Sequence, residues 1–119
     1  MLESGEGALL ARGGGAVFIH WAVEGGPQAP ALAARLGFAS HTGLTKYRHG
    51  PIDLVFDPSL QHPVARNLHQ VSFIDETYWA LVGDPAGVQL VASAEEEGAL
   101  RPQVWTRRVG PGRVLVSIP

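Results

Sequence analysis

Gly13-Gly14-Gly15-Ala16-Val17-Phe18-Ile19-His20-Trp21 is the stretch on which the fold turns. From Ala16 to Trp21 the run has no polar alternation, which suits a strand buried on both faces of a parallel sheet. Such a strand needs helices on both sides. Upstream, Ser4 is placed as an N-cap for a short helix through Ala8-Leu9-Leu10-Ala11-Arg12, which the three glycines terminate. Downstream, Pro27 to Leu36 reads as an alanine-rich helix with proline in its first turn and Gly37 at its end. Helix, strand, helix in that order points to α/β layering.

Further along, between Phe38 and Pro51, the stretch Ala39 to Gly50 is polar and aperiodic and reads as a loop. Ile52 to Phe56 is a short strand closed by Asp57-Pro58, and His62-Pro63 opens one helical turn. Val71 to Trp79 alternates around Asp75-Glu76 and is either a half-exposed strand or an extended active loop. Val88–Ala92, Gln103–Arg107 and Arg113–Ile118 are strand-like, and Val109-Gly110-Pro111-Gly112 joins the last two as a hairpin. Glu95-Glu96-Glu97 is expected in a solvated loop.

Length and composition bound the rest. The 119 residues suffice for one domain, expected to span residues 1–119. Charged residues are 17 % and apolar residues 45 %, with a net charge of −2, so neither disorder nor a nucleic-acid or membrane-surface footprint is indicated. There is no cysteine, which removes disulfides, thiolate metal sites and a cysteine nucleophile. The first ten residues lack a basic start and an apolar core segment, and the run Ala16–Val23 is about half the ~20 residues a membrane helix needs. A cytoplasmic location is the default expectation. The 15 Gly and 9 Pro make up about a fifth of the chain, above the ~12 % average, so turns take much of its length.

Gly13 to His20, then His62-Pro63-Val64, then Asp75-Glu76-Thr77-Tyr78, then Val104 to Arg107 with Gly110 to Val114, taken in order, resemble the motif series of the ThuA-like (trehalose-utilisation) family. The resemblance runs from about Leu2 to the last residue. It implies a flavodoxin-like three-layer α/β sandwich, related to class I glutamine amidotransferases, with a mixed sheet and a C-terminal hairpin. It also implies an incomplete domain, about the second two-thirds, because the family places further strands ahead of this first helix and a Gly-His pair after this last strand. Its implied task is recognition or catabolism of a sugar or keto-sugar. Glutaminase activity is excluded, because the nucleophilic cysteine of the related glutaminases has no counterpart and His20 stands at that strand end.

The expected catalytic residues are His20 and Glu76. His20 sits at the carboxyl end of a strand, where open sheets collect ligands, and imidazole exchanges protons near neutrality. A carboxylate pair beside aromatic rings is the composition of a sugar site, and strand alternation lets only one of Asp75 and Glu76 point inward; family position favours Glu76. His41, Asp75, Tyr78, Trp105 and Arg108 are the expected substrate contacts, with His49, His62 and His69 weaker. Gly25-Gly26-Pro27 could offer free N–H groups to an anion or hydroxyl, whereas Gly13 to Gly15 precede a strand and read as a helix cap. His20, His41 and Glu76 lack short-range metal-ligand spacing, so neither a metal nor a diffusible cofactor is expected. The expected partner is a small carbohydrate. An alternative is a non-catalytic subunit that self-associates or binds a completing chain, because the strand at Ala16 lacks an earlier strand to pair with.

Overall fold

A computed structural model of the chain describes residues 4–57, 59 and 62–119. Helix α1 (Ser4–Ala11) ends where the glycines predict. The Gly13 and Gly14 N–H groups donate to Leu10 and Leu9 carbonyls at 3.0 and 2.9 Å, and Gly13 is left-handed (φ +84°). The Ser4 cap lies outside the described side chains. Strand β1 (Gly15–Ile19) follows, then a 3₁₀ turn at His20–Val23 and another at Gly26–Gln28 that leads into α2 (Ala29–Leu36).

The stretch expected as a loop holds two strands. β2 (Phe38–Ala39) and the first half of β3 (Lys46–Phe56) leave only residues 40–45 irregular. Polarity on both faces of β3 hid its period: Lys46 and Arg48 reach acidic partners on one side, while Tyr47 and His49 are exposed on the other. β4 (Gln70–Trp79) is the strand rather than the loop of the two readings, and β5 (Val82–Gly83), β6 (Gln89–Glu96), β7 (Ala99–Val109) and β8 (Gly112–Ser117) complete the set. Glu95 and Glu96 close β6 instead of a solvated loop. The turn is Glu97-Gly98, both at positive φ as a type I′ hairpin requires. The expected C-terminal hairpin is present. Gly110 at φ +59° followed by Pro111 matches type II′, because proline cannot supply the second positive φ of type I′.

Six strands form a mixed sheet in the order β1-β8-β7-β6-β3-β4, with β1 parallel to β8 and every other neighbour antiparallel; β2 and β5 pair separately. The β3–β4 hairpin joins the rest by only two residue pairs, Val55 with Ser93 and Phe56 with Ala92. Register shifts between Leu90 and Ser93 add a bend. The hairpin therefore curls back over the sheet, and a buried amide holds it there. Gln103 on β7 donates to the Tyr78 carbonyl at 2.7 Å and accepts from the Tyr78 N–H at 3.3 Å, replacing a ladder step with a side chain. The curl brings the end of β4 to the end of β1, although the two are opposite margins of the sheet.

Both helices pack on one face of the sheet. Leu10 and Leu36 meet Val23, Phe38, Tyr78, Trp105, Val114, Val116 and Ile118 there in the main core. On the other face, Leu54, Phe56, Val91, Ala92 and Val104 form a second cluster covered by Ala65 and Phe73. Only the short 3₁₀ turn Pro63–Ala65, and no α-helix among the described residues, lies on that face, so the fold is an α/β half-barrel with α-helices on one side, and the three-layer expectation stops at two. β1 is accordingly not buried on both faces. Ala16 and Phe18 pack inward, while Val17 and Ile19 are 64 % and 60 % exposed. No helix of the described residues is long and apolar enough to cross a membrane.

One charged cluster ties the curled hairpin to β6. Arg48 grips Glu96 with Nε and Nη2 at 2.8–3.0 Å, and the Thr77 hydroxyl donates to the same carboxylate at 2.7 Å. Arg48 hydrogen bonding, opposed by burial and aided by Thr77, holds the Glu96 carboxyl below its usual 4.5. A carboxyl depressed in the folded state contributes stability above its unfolded value, and that contribution disappears as pH falls through the folded value. Denaturation midpoints measured from pH 7 to pH 3 should fall below about pH 4.5, and Glu96→Gln should be less stable at neutral pH with a flatter decline. Parallel curves for the two proteins would refute this role.

Candidate functional site

The sequence places His20 immediately after a strand, and there it takes a left-handed backbone (φ +56°). That is uncommon for a residue with a side chain and recurs at functional sites. The turn points the imidazole across the sheet end. Nδ1 donates to the Ile118 carbonyl at 2.8 Å, since a carbonyl can only accept, and this fixes the neutral tautomer with its lone pair on Nε2. Nε2 lies 3.0 Å from Glu76 Oε1 and 3.1 Å from the Tyr78 hydroxyl, which is itself 3.3 Å from Glu76 Oε1. The expected catalytic pair and Tyr78 thus meet in one triangle. Glu76 and Tyr78 are two apart on β4 and share a face, with Tyr47 and His49 opposite them on β3.

Protons in the triangle have two arrangements. With neutral imidazole, the Tyr78 O–H donates to Nε2, and Glu76 Oε1, which can only accept, has no proton to share with Nε2. With imidazolium, Nε2–H donates to Glu76 and the Tyr78 hydroxyl turns to Glu76 Oε1. Tyr78 can serve in both because burial first, and the Glu76 charge second, push its hydroxyl up to about 12, so it stays protonated at neutral pH. Glu76 Oε2 has no hydrogen-bond partner among the described residues and remains available to a ligand.

The triangle floors a cleft of about 580 Å³ that Trp21, Glu24, Ser40, His41, Thr45 and Tyr47 help to line. Trp21 and Tyr47 are 65 % and 70 % exposed. His41 is one of the lining residues, its Nδ1 donating to the Thr42 carbonyl at 2.7 Å. Glu24 was missed by sequence reasoning. Its carboxylate accepts from the Gly26 N–H at 2.6 Å, the Ser40 hydroxyl at 2.9 Å and the Thr42 hydroxyl at 3.0 Å. Burial opposes its charge, but these donors outweigh it and hold the carboxyl below the usual range. The Gly25 N–H goes to the Ser40 carbonyl, so both glycine donors expected to be free for an anion are already engaged.

Three expected contacts lie elsewhere. Asp75 is on the opposite face of β4 from Glu76, its carboxylate accepting the Glu76 N–H at 2.7 Å. Trp105 is wholly buried in the main core, donating Nε1–H to the Leu36 carbonyl at 2.7 Å. Arg108 is exposed and lines a different cleft, against β1 and β8. Period two put Trp105 and Arg108 on opposite faces correctly but could not say which face carried a site. His62 fixes its turn by accepting the Val64 N–H at 3.1 Å. No group of three or more metal-binding side chains occurs among the described residues.

Fold and site together define an α/β half-barrel with a cleft over the His20–Glu76–Tyr78 triangle at the carboxyl end of its parallel strand pair. A solved protein with this fold is one from Parabacteroides merdae ATCC 43184 described as a putative ThuA-like protein, with TM-score 0.74 over 93 % of this chain at 19 % identity. The fold likeness falls on the family that the motifs resemble. This chain spans 51 % of that protein's length. No family model matches the sequence, and no curated protein matches it significantly.

Proposed function

We propose that this chain is a ThuA-like domain whose cleft binds an uncharged sugar or keto-sugar, with His20 as the group that takes a proton from it. The observation that carries the reading is the His20–Glu76–Tyr78 triangle at the floor of a cleft flanked by two exposed aromatic rings. Rings cover apolar sugar faces, and carboxylates accept from hydroxyls. The lining contains no Lys or Arg, whereas Glu24 and Glu76 are both acidic, which disfavours phosphorylated or carboxylated sugars. A ligand C–H or O–H approaching Nε2 displaces the Tyr78 hydroxyl, which turns to Glu76 Oε1. The imidazolium then formed is paired by Glu76, whose Oε2 orients ligand hydroxyls. Fold similarity to a ThuA-like protein supports the family part of this reading.

Calorimetric titration of the folded chain with neutral disaccharides and 3-keto-glycosides tests it. Saturable binding that Trp21→Ala and Tyr47→Ala each weaken about tenfold is expected, in line with 1–1.5 kcal/mol per ring contact. Flat titrations by a folded sample would end the proposal.

A further inference from the structure

We propose that the bare face of β1, β8 and β7 docks an acidic amphipathic helix carried by a partner polypeptide. A parallel strand pair is ordinarily covered on both sides, and here helices cover only one. The uncovered side presents Val17 and Ile19, each more than half exposed, beside Leu115 on β8. Val17 and Leu115 line a groove of about 650 Å³ between the His62–Val64 turn and the Ala86–Gln89 segment, and Ile19 lies beyond its end. The apolar strip specifies one side of the occupant.

Charge specifies the other. Arg108 and Arg113 are directly opposite each other across β7 and β8, on the same face as Val17 and Leu115. Like charges in that position destabilise a sheet. Neither guanidinium has a hydrogen bond or ion pair among the described residues, whereas neighbouring Arg107 is pinned by the Gly87 and Ala34 carbonyls. Carboxylates flanking an apolar stripe would relieve the repulsion while the stripe covers Val17, Ile19 and Leu115. A second copy fits poorly, because a two-fold contact sets the same patch against itself and would bring both arginine pairs together.

The test uses two labelled 18-residue helical peptides with the same leucine stripe, one flanked by glutamate and one by lysine, titrated into the chain by fluorescence anisotropy. The glutamate peptide is expected to bind at least tenfold more tightly. The double variant R108E/R113E should reverse the preference, and Val17→Asp should weaken both peptides; circular dichroism confirms that each variant is folded. Equal binding of the two peptides, or indifference to charge reversal, would overturn the proposal. So would a dimer in light scattering that R108E/R113E leaves intact and Val17→Asp dissociates, since the occupant would then be a second copy.

Discussion

His20→Asn should abolish proton transfer while leaving the fold in place. Asparagine tolerates the left-handed backbone that His20 adopts, at φ +56°, and its short amide can still donate locally. It cannot act as a base. Loss of a positioned proton acceptor lowers rates by about 10²–10⁴-fold. The readout is deuterium exchange at the carbon next to the carbonyl of a 3-keto-glycoside, followed by NMR at neutral pH. The unmodified chain should accelerate exchange, and His20→Asn should return it to within a few-fold of buffer. Tyr78→Phe should lose less, because Glu76 still faces Nε2 at 3.0 Å. Exchange undiminished in His20→Asn would remove the imidazole from the chemistry, and equal losses for both variants would assign the effect to packing around the Tyr78 ring, 5.2 Å from His20.

That site was legible in pieces. Alternation along β4 put Glu76 and Tyr78 on one face, and the strand-end position of His20 was readable from the apolar run before it. Their meeting was not. His20 and Tyr78 are 58 residues apart, one just past the end of β1 and the other on β4, at opposite margins of the sheet. The curl that joins them depends on a register shift in β6 and on one buried amide, Gln103, neither of which leaves a periodic trace. Glu24 had a local signal that went unread, since a carboxylate two residues before a glycine can cap that glycine's N–H. Its Ser40 and Thr42 donors come from a loop whose position no spacing reveals.

The misreading of β1 has a different origin. Hydrophobic periodicity reports how much burial a segment is built for, not which chain provides it. Val17 and Ile19 have the apolar character of a doubly covered strand, and Ala16 and Phe18 are the half that this chain covers. In β3 the opposite confusion occurred: the first half of an eleven-residue strand looked like a loop because ion pairs stand where apolar residues ordinarily alternate.

Trp105 gives the largest expected loss of stability. Its side chain is fully buried, its ring meets Phe38 edge-on at 5.1 Å, and its N–H satisfies the last carbonyl of α2 at 2.7 Å. Trp105→Ala removes the ring from the middle of the core and leaves the Leu36 carbonyl without its partner. Large-to-small changes of this kind cost about 3–5 kcal/mol, and domains of this size have about 5–15 kcal/mol in total. The variant should therefore unfold at a much lower urea concentration with an unchanged slope, or fail to fold at 25 °C. Trp105→Phe keeps most of the volume and should lose much less, chiefly the hydrogen bond and the residual void. The pair of variants separates a core residue from a ligand contact. If Trp105 held a sugar, Trp105→Phe would weaken binding at full stability; as a core residue it should leave calorimetric affinity within about twofold while its denaturation midpoint drops. An affinity loss without a stability loss would return Trp105 to the cleft and contradict the position of β7 beneath α2.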